Sequence, residues 1–383
     1  MKTYKNLIQV AISDECMDEA FRIAIKRKRE RPDVMRIIKN YDLVKEKLKK
    51  RILEGNFTPF VHKAKEINDG FKLKKRMIIQ PYFSATRPEQ WIQHIIVEVL
   101  KPIFMKGMYE FSCGSVPGRG VHYGKKYLEK FIKEHPKEIR YVLKADIKHF
   151  YENVNIELIK AKLKRIIKDE KFLELVYFVL DSNVGVLEDG KVFRPGLPIG
   201  FYTSQWFANW FLQPLDHYIK EQLKAKFYMR YMDDIVIFGS NKRELHKMQK
   251  YIEEYLKNID LELKPNWQVF KFHYIDKNGR HHGRFIDFMG FKFYRHKTTI
   301  RKTIFIRACR LARRLRKKLK ISWYDACRML SYWGWFIPTD THKAYKRYIE
   351  ENISIHICRK LVSKHSKRSK NNGSNLSNSS RCS

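Results

Sequence analysis

Apolar residues along this chain recur at two different spacings, and the alternation between them divides it into elements. Residues 14 to 30 and 33 to 53 read as two helices separated by the breaker Pro32. In the second, Val34, Ile37, Ile38, Tyr41, Val44, Leu48 and Ile52 keep close to a 3.6-residue period until Gly55. From Phe57 to Pro81 the pattern becomes short apolar alternation around Asn68-Asp69-Gly70, which predicts a hairpin whose second arm carries Lys72, Lys74, Lys75 and Arg76. Helical spacing returns at 88 to 107, with Trp91, Ile95, Val99 and Ile103 on one side. In the stretch 140 to 155, Tyr141, Leu143, Ala145 and Ile147 alternate as in a strand, and Asp146 falls among the polar positions.

Downstream, 156 to 180 is helical and the glycine-bearing stretch 196 to 205 opens onto an aromatic helix at 206 to 219. Two short strands, Phe227 to Tyr231 and Ile235 to Phe238, meet at a tight turn. An amphipathic helix at 244 to 259 and a small apolar hairpin at 285 to 294 follow. Ile304, Ala308, Leu311, Leu315 and Leu319 then mark the apolar stripe of a helix at 301 to 320. From 363 the chain is mostly serine, asparagine and lysine, and so little apolar content predicts disorder.

Charge sharpens this picture: 79 basic against 41 acidic residues leave a formal +38, a surface that calls for a polyanion. With 14% aromatic residues available for stacking, nucleic acid fits better than an anionic membrane. No apolar run of about 18 residues and no signal-peptide pattern appears. Six cysteines without a C-x-x-C pair argue against a zinc site or a disulfide framework and fit a reduced cytosol.

The candidate chemistry lies at the tight turn, where Asp233 and Asp234 are adjacent. Aspartate is a common turn former, but two neighbouring carboxylates between apolar strands repel each other unless a hard cation such as Mg²⁺ neutralises them. Asp146 offers a third carboxylate. Gly114, Gly118 and Gly120 make the loop from Ser112 flexible enough to approach phosphates, although it lacks the Lys-Ser/Thr ending of a nucleotide P-loop. The segment 301 to 320 has ten basic and no acidic residues, which suits a helix laid on phosphates better than a solvated face.

Tyr231-Met232-Asp233-Asp234 resembles the YxDD box of reverse transcriptases, and the likeness extends over roughly residues 14 to 347. It implies an α+β right-hand polymerase with an antiparallel palm sheet. The expected parts are an N-terminal helical extension (1–55), fingers (56–145), a palm with interleaved fingers elements (146–300), a basic helical thumb (301–362) and a disordered tail (363–383). By this resemblance Asp146, Asp233 and Asp234 bind two Mg²⁺ ions. Arg76, Tyr151, Ile199, Gly200 and Gln205 face the incoming dNTP, Tyr151 filling the space a ribose 2′-hydroxyl needs. Arg119, Tyr231, Met232, Gly290 of the primer-grip hairpin, and Arg310, Arg313 and Arg314 of the thumb contact template and primer. Lys264 or Lys271 stands in for the lysine that relatives carry after the proline at 265, and the proton donor to pyrophosphate stays unassigned.

Most of the family has QGxxxSP where this chain has Ile199, Gly200, Ser204 and Gln205, an IGxxxSQ box that resembles reverse transcriptases of diversity-generating retroelements. That implies a cytoplasmic bacterial or phage enzyme copying a template RNA into cDNA with errors at adenines, the altered copy replacing part of a target gene by mutagenic retrohoming. A small basic helical accessory protein is the implied partner, with no membrane. The alternatives are a retron, abortive-infection or group II intron maturase-like reverse transcriptase, or a non-catalytic basic RNA-binding splicing helper.

Overall fold

The computed structural model describes residues 2–378 except Asn56 and 70–73, so Lys72 lies outside the described residues. By packing, the chain forms two units. The first joins Met1–Gly120 to Tyr141–Val269, and the second joins Val121–Arg140 to Phe270–Ser383.

In the first unit the N-terminal helices are shorter than periodicity suggests. The helix expected at 14 to 30 is Asp14–Ala24, capped by the Ser13 side chain. The one expected at 33 to 53 is two, Pro32–Lys39 and Tyr41–Glu54, broken at Asn40. Pro32 therefore starts a helix as well as ending the preceding segment, since its missing N–H costs nothing in the first turn. The helix Glu89–Met105 buries Trp91, Ile95, Val99 and Ile103 as expected. Residues 156 to 180 are likewise two helices, Ile156–Ile166 and Glu170–Asp181, begun by side-chain caps from Asn155 and Asp169.

Two sheets run through this unit. In the first, β1 (Val61–Asp69) and β2 (Lys74–Ile79) form the expected hairpin, in a sheet ordered β2-β1-β5-β6 with β5 at Val184–Val186 and β6 at Val192–Phe193. The second contains β3 (Ser112–Cys113), β4 (Tyr141–Asp146), β7 (Phe227–Tyr231) and β8 (Asp234–Gly239) in the order β3-β7-β8-β4. Here β8 lies between two antiparallel neighbours and is almost wholly apolar, with Ile235, Val236, Ile237 and Phe238 all buried. The sequence boundary between fingers and palm, 145/146, falls at the end of β4.

One polar group is set inside this core. Arg230 of β7 and Asp216 of the helix Tyr202–His217 are both fully buried and joined by two hydrogen bonds, from Nε at 2.7 Å and Nη2 at 2.6 Å. Tyr228 donates to the same carboxylate at 2.6 Å, and Arg230 also reaches Ser112 Oγ at 2.8 Å and Asn209 Oδ1 at 3.2 Å. Burial opposes the guanidinium charge, yet Asp216 holds the Arg230 pKa above its ordinary value.

The second unit has its own core around Ala308, Leu311, Leu315, Met329 and Phe336. It comprises the helix Val121–Glu134, a three-stranded antiparallel sheet of Ile286–Phe288, Phe291–Phe293 and Thr298–Ile300, and the helices Lys302–Arg316 and Trp323–Phe336. The stripe expected through 319 ends early, because the helix stops at Arg316 and leaves Leu319 fully exposed. The helix Ile355–Asn378 closes the described chain. Residues 379–383 lie outside the described residues. Among the described residues Cys16, Cys113, Cys309 and Cys358 are free thiols, and no helix is long and apolar enough to cross a membrane.

Removing one member of a buried charged pair strands the other. Arg230→Leu and Asp216→Leu are each expected to lower unfolding stability by about 3–5 kcal/mol. The double replacement should recover part of that loss, and urea unfolding of the three variants measures it.

Candidate active site

The turn between β7 and β8 is tight: Tyr231 pairs with Asp234, leaving Met232 and Asp233 as its two central residues. Met232 sits at φ 56°, a left-handed conformation that costs a non-glycine residue of order 1–3 kcal/mol unless its surroundings impose it. Three contacts do so. The Met232 N–H donates to Cys113 O at 3.2 Å, Arg230 Nη1 donates to Met232 O at 2.8 Å, and Asn209 Nδ2 lies 3.6 Å from the sulfur. Asn209 also donates to Gly114 O at 3.0 Å, and a side chain at Gly114 would come within 3.1 Å of both Tyr231 and Met232. The glycine loop thus packs against the hairpin.

Strand register brings the three aspartates to one end of the sheet. Asp146, last residue of β4, pairs with Asp234, first residue of β8, and the next N–H, of Ile147, donates to Asp233 O at 3.1 Å. Burial raises the Asp233 pKa first and the Asp146 charge raises it further, while Lys264 and Arg76 act in the opposite direction. Lys264 donates its ammonium to Asp146 and its backbone N–H to Asp146 O at 2.8 Å. Lys144 lies 3.6 Å from Asp234. Among the described residues no three His, Cys, Asp or Glu side chains are arranged to hold a metal ion as they stand, and lysines are paired with two of the three carboxylates. Three carboxylates are nevertheless a donor set that suits a hard cation.

Of the residues expected at the nucleotide, Tyr151 and Arg76 share an electrostatic field with Asp233. Tyr151, half-buried, has its pKa raised by burial and then by Asp233, and the charge of Arg76 is felt at both residues. Arg76 is exposed on β2, and Lys75 beside it pairs with Glu66 at 2.9 Å. Tyr151 O accepts the Leu197 N–H at 2.7 Å, joining the 196–205 stretch to the segment after β4. Ile199 O accepts from Ile79 N at 2.9 Å. Gly200 is required: at φ 119°, any Cβ would fall 2.3 Å from Ile79 O. Gln205 is exposed in the first turn of the helix Tyr202–His217.

Of the residues expected on template and primer, Arg119 donates to Tyr109 O at 2.8 Å and Met108 O at 3.4 Å, so its guanidinium braces its own loop. Tyr231 is half-buried and Met232 buried. In the second unit, Gly290 turns the hairpin between Ile286–Phe288 and Phe291–Phe293 at φ 87°, its carbonyl accepting from Arg301 N at 2.9 Å. Arg310 and Arg314 line a cavity of about 470 Å³ with Arg307, Arg328 and Tyr332, while Arg313 is exposed outside that lining. Lys271 donates to the Tyr274 hydroxyl at 3.1 Å.

Sequence reasoning missed the Arg230–Asp216 pair, the place of Lys264 on Asp146, and the contributions of Arg307 and Arg328. A signal for the first existed: Arg230 and Asp216 are lone charges inside otherwise apolar or aromatic stretches, where an unpaired charge is untenable.

This sheet, with a carboxylate-tipped hairpin beside a carboxylate-ended strand, is the heart of a polymerase palm, and comparison with known proteins agrees. Residues 73–293 match the reverse transcriptase (RNA-dependent DNA polymerase) family, and the chain belongs to it. It is 28% identical over 224 residues to the group II intron-encoded protein LtrA of Lactococcus lactis, which covers 57% of this chain and 35% of that protein. It is 22% identical over 179 residues to protein YkfC of Escherichia coli, covering 46% of this chain and 45% of YkfC. The chain thus spans about a third to under half of the length of these curated relatives. Among solved structures, telomerase from Candida tropicalis in complex with a fragment of telomeric RNA aligns over 88% of this chain and 58% of its own, with a TM-score of 0.50 and 14% identity, a likeness of fold.

The raised pKa of Asp233 has a stability consequence. The folded chain keeps this proton to higher pH than the unfolded chain, so stability falls as pH rises from the ordinary carboxylate value, 3.8, through the raised one. At neutral pH and without metal the ionised group is destabilising. Asp233→Asn should therefore melt higher than the wild type in chelator at pH 7.5, by roughly 2–4 °C for each kcal/mol relieved, and the difference should shrink as pH is lowered. Calorimetry across pH checks both.

Proposed function

We propose that this protein is an RNA-directed DNA polymerase that copies a template RNA into cDNA. The observation that carries the reading is the meeting of Asp146, Asp233 and Asp234 at one end of paired strands, with Arg76 and Tyr151 in their field. In this reading the three carboxylates hold two Mg²⁺ ions once Lys264 and Lys144 move aside. Bound there, magnesium supplies Lewis acidity for the primer 3′-hydroxyl and charge neutralisation for the triphosphate. Arg76 adds a cation for the triphosphate, Gly200 lets backbone approach the nucleotide, and Tyr151 closes the space a 2′-hydroxyl needs. Arg119, Tyr231, Met232 and Gly290 position template and primer, and the thumb arginines hold phosphates.

The finer assignment, an error-prone enzyme of a diversity-generating retroelement with a small basic accessory protein, rests on Ile199. An isoleucine offers only apolar contact where most relatives have a glutamine, and a polar contact of this kind is worth about 1–3 kcal/mol, or roughly ten to a hundredfold in selectivity. A second reading, a group II intron maturase-like enzyme acting on intron RNA, is favoured by the similarity to the intron-encoded protein. A cytoplasmic location in a bacterium or phage host accompanies either.

Primer extension on RNA followed by cDNA sequencing tests these statements together. The wild type should incorporate dNTPs only with Mg²⁺, and Asp233→Asn should lose incorporation while keeping RNA affinity. Tyr151→Ala should admit ribonucleotides. Errors opposite template adenines should exceed those opposite other bases and fall in Ile199→Gln; uniform low error in the wild type would favour the maturase-like reading, and no synthesis at all with a cognate RNA would sink the polymerase.

For the thumb, Arg310→Gln with Arg314→Gln should flatten the salt dependence of template–primer binding by up to about two units of slope, at roughly 0.7–0.9 counterions per lost phosphate contact. Arg313→Gln, outside the cavity, serves as the comparison. Equal slopes in all variants would remove the helix from the nucleic-acid surface.

A further inference from the structure

The helix Tyr202–His217 carries two of the groups that hold the turn between β7 and β8, Asn209 and Asp216, and Pro214 lies between them. Proline has no N–H, so the helical bond that residue 214 would give to the carbonyl four residues back, Trp210 O, cannot form. Trp210 is buried, and a buried carbonyl without a donor costs free energy comparable to a lost hydrogen bond. The donor comes from another helix: Lys162, on Ile156–Ile166, gives its ammonium to Trp210 O at 2.6 Å. The same ammonium lies 3.9 Å from the centroid of the Trp210 ring, which stacks on Phe104 at 4.8 Å and 23°. Lys162 therefore grips one residue by its carbonyl and by its ring.

Packing alone does not account for a lysine here. Burial pushes the Lys162 pKa down to about 7 from the ordinary 10.5, with Asp216 acting in the opposite direction. The unfolded chain binds this proton more tightly than the folded one, so stability falls as pH drops from 10.5 towards 7, and at neutral pH the ammonium costs folding energy. An apolar side chain would carry no such cost. What it could not do is donate to Trp210 O.

The place of that bond gives it leverage. Arg230 takes partners from both sides of Pro214: Nη1 donates to Asn209 Oδ1 at 3.2 Å, ahead of the proline, and Nε and Nη2 donate to Asp216, beyond it. The same Nη1 donates to Met232 O at 2.8 Å, and Asn209 Nδ2 faces the Met232 sulfur. One guanidinium meets Asn209, Asp216 and Met232 together only while the two parts of the helix keep their relative setting. At the level where those parts join, the helix lacks a bond of its own and Lys162 provides one.

We infer that Lys162 is a positioning residue for the turn that carries Asp233. By donating to the carbonyl that Pro214 leaves without an intrahelical partner, it keeps Asn209 and Asp216 at the spacing Arg230 requires, and through Arg230 it holds Met232 and the neighbouring Asp233. The inference rests on the polymerase reading for the reaction served, while the linkage itself is a property of the fold.

The test compares Lys162→Leu, Pro214→Ala and the double variant as full chains, since an alanine at 214 restores the N–H that Trp210 O lacks. Single-dNTP incorporation is measured on an RNA template annealed to a DNA primer with Mg²⁺, per folded molecule. Lys162→Leu should lower kcat by about tenfold, with KM for the dNTP and RNA affinity held within about twofold, the pattern of a displaced reacting group. Pro214→Ala should stay near wild type, and in its background Lys162→Leu should cost almost nothing. A second readout needs no catalysis: in methyl-¹³C-methionine protein, the Met232 resonance, assigned with Met232→Leu, should shift or broaden in Lys162→Leu and return in the double variant. An unchanged kcat and Met232 resonance in Lys162→Leu, or equal losses in both backgrounds, overturns the inference. If Lys162→Leu does not fold, folding and wild-type turnover of the double variant support the link, and misfolding of both rejects it. A wild type without incorporation whose Met232 resonance still follows Lys162 and Pro214 rejects the polymerase and leaves the linkage; incorporation at one rate in all variants does the reverse.

Discussion

The salt bridge between Arg230 and Asp216 is the constraint on which the geometry of the turn between β7 and β8 depends. Two fully buried charges are tolerable only when each is saturated by partners, and here one guanidinium serves Asp216, Asn209, Ser112 and the carbonyl of Met232. Those partners belong to the helix Tyr202–His217, the strand before the glycine loop, and the turn itself. A shift in any of them would leave a buried donor or acceptor unmatched, so three separate chain segments are locked to the residue next to Asp233. The left-handed Met232 is held by the same network.

Upon that base the site divides its labour between backbone and side chain. Register alone brings Asp146 opposite Asp234, and a single N–H from Ile147 adds Asp233, so the carboxylates meet because strands pair as they do. Glycine supplies close approach where side chains would collide, at Gly200 against Ile79 O and at Gly196, whose Cβ would lie 2.0 Å from Val154 O. Charge then sets the resting state, since Lys144 on β4 and Lys264 just before Pro265 pair with carboxylates that would otherwise face only each other.

Much of this was legible in the chain. The strand at 141–146 carries its alternating period, the two strands within 227–238 stand out as short apolar runs with Asp233 and Asp234 between them, and Pro, Gly and Asn marked most element ends. What escaped has a common cause: it depends on contacts between residues far apart in sequence. Nothing local joins Lys264 to Asp146, 118 positions away. Nothing local shows that Arg119 donates to carbonyls ten and eleven residues back. Periodicity carried Leu319 one turn past the true end of its helix, because a repeat pattern does not register where backbone bonding stops. The grouping of 121–140 with 270–383 has no sequence signature at all.

The ammonium on Asp146 also changes what loading this centre means. Under the proposed two-metal reading, binding there would be an exchange of a tethered cation for a diffusible one, with the carboxylates always read against a competitor whose local concentration never falls. The resting centre is then a closed set of ion pairs rather than an open trap for any passing divalent ion.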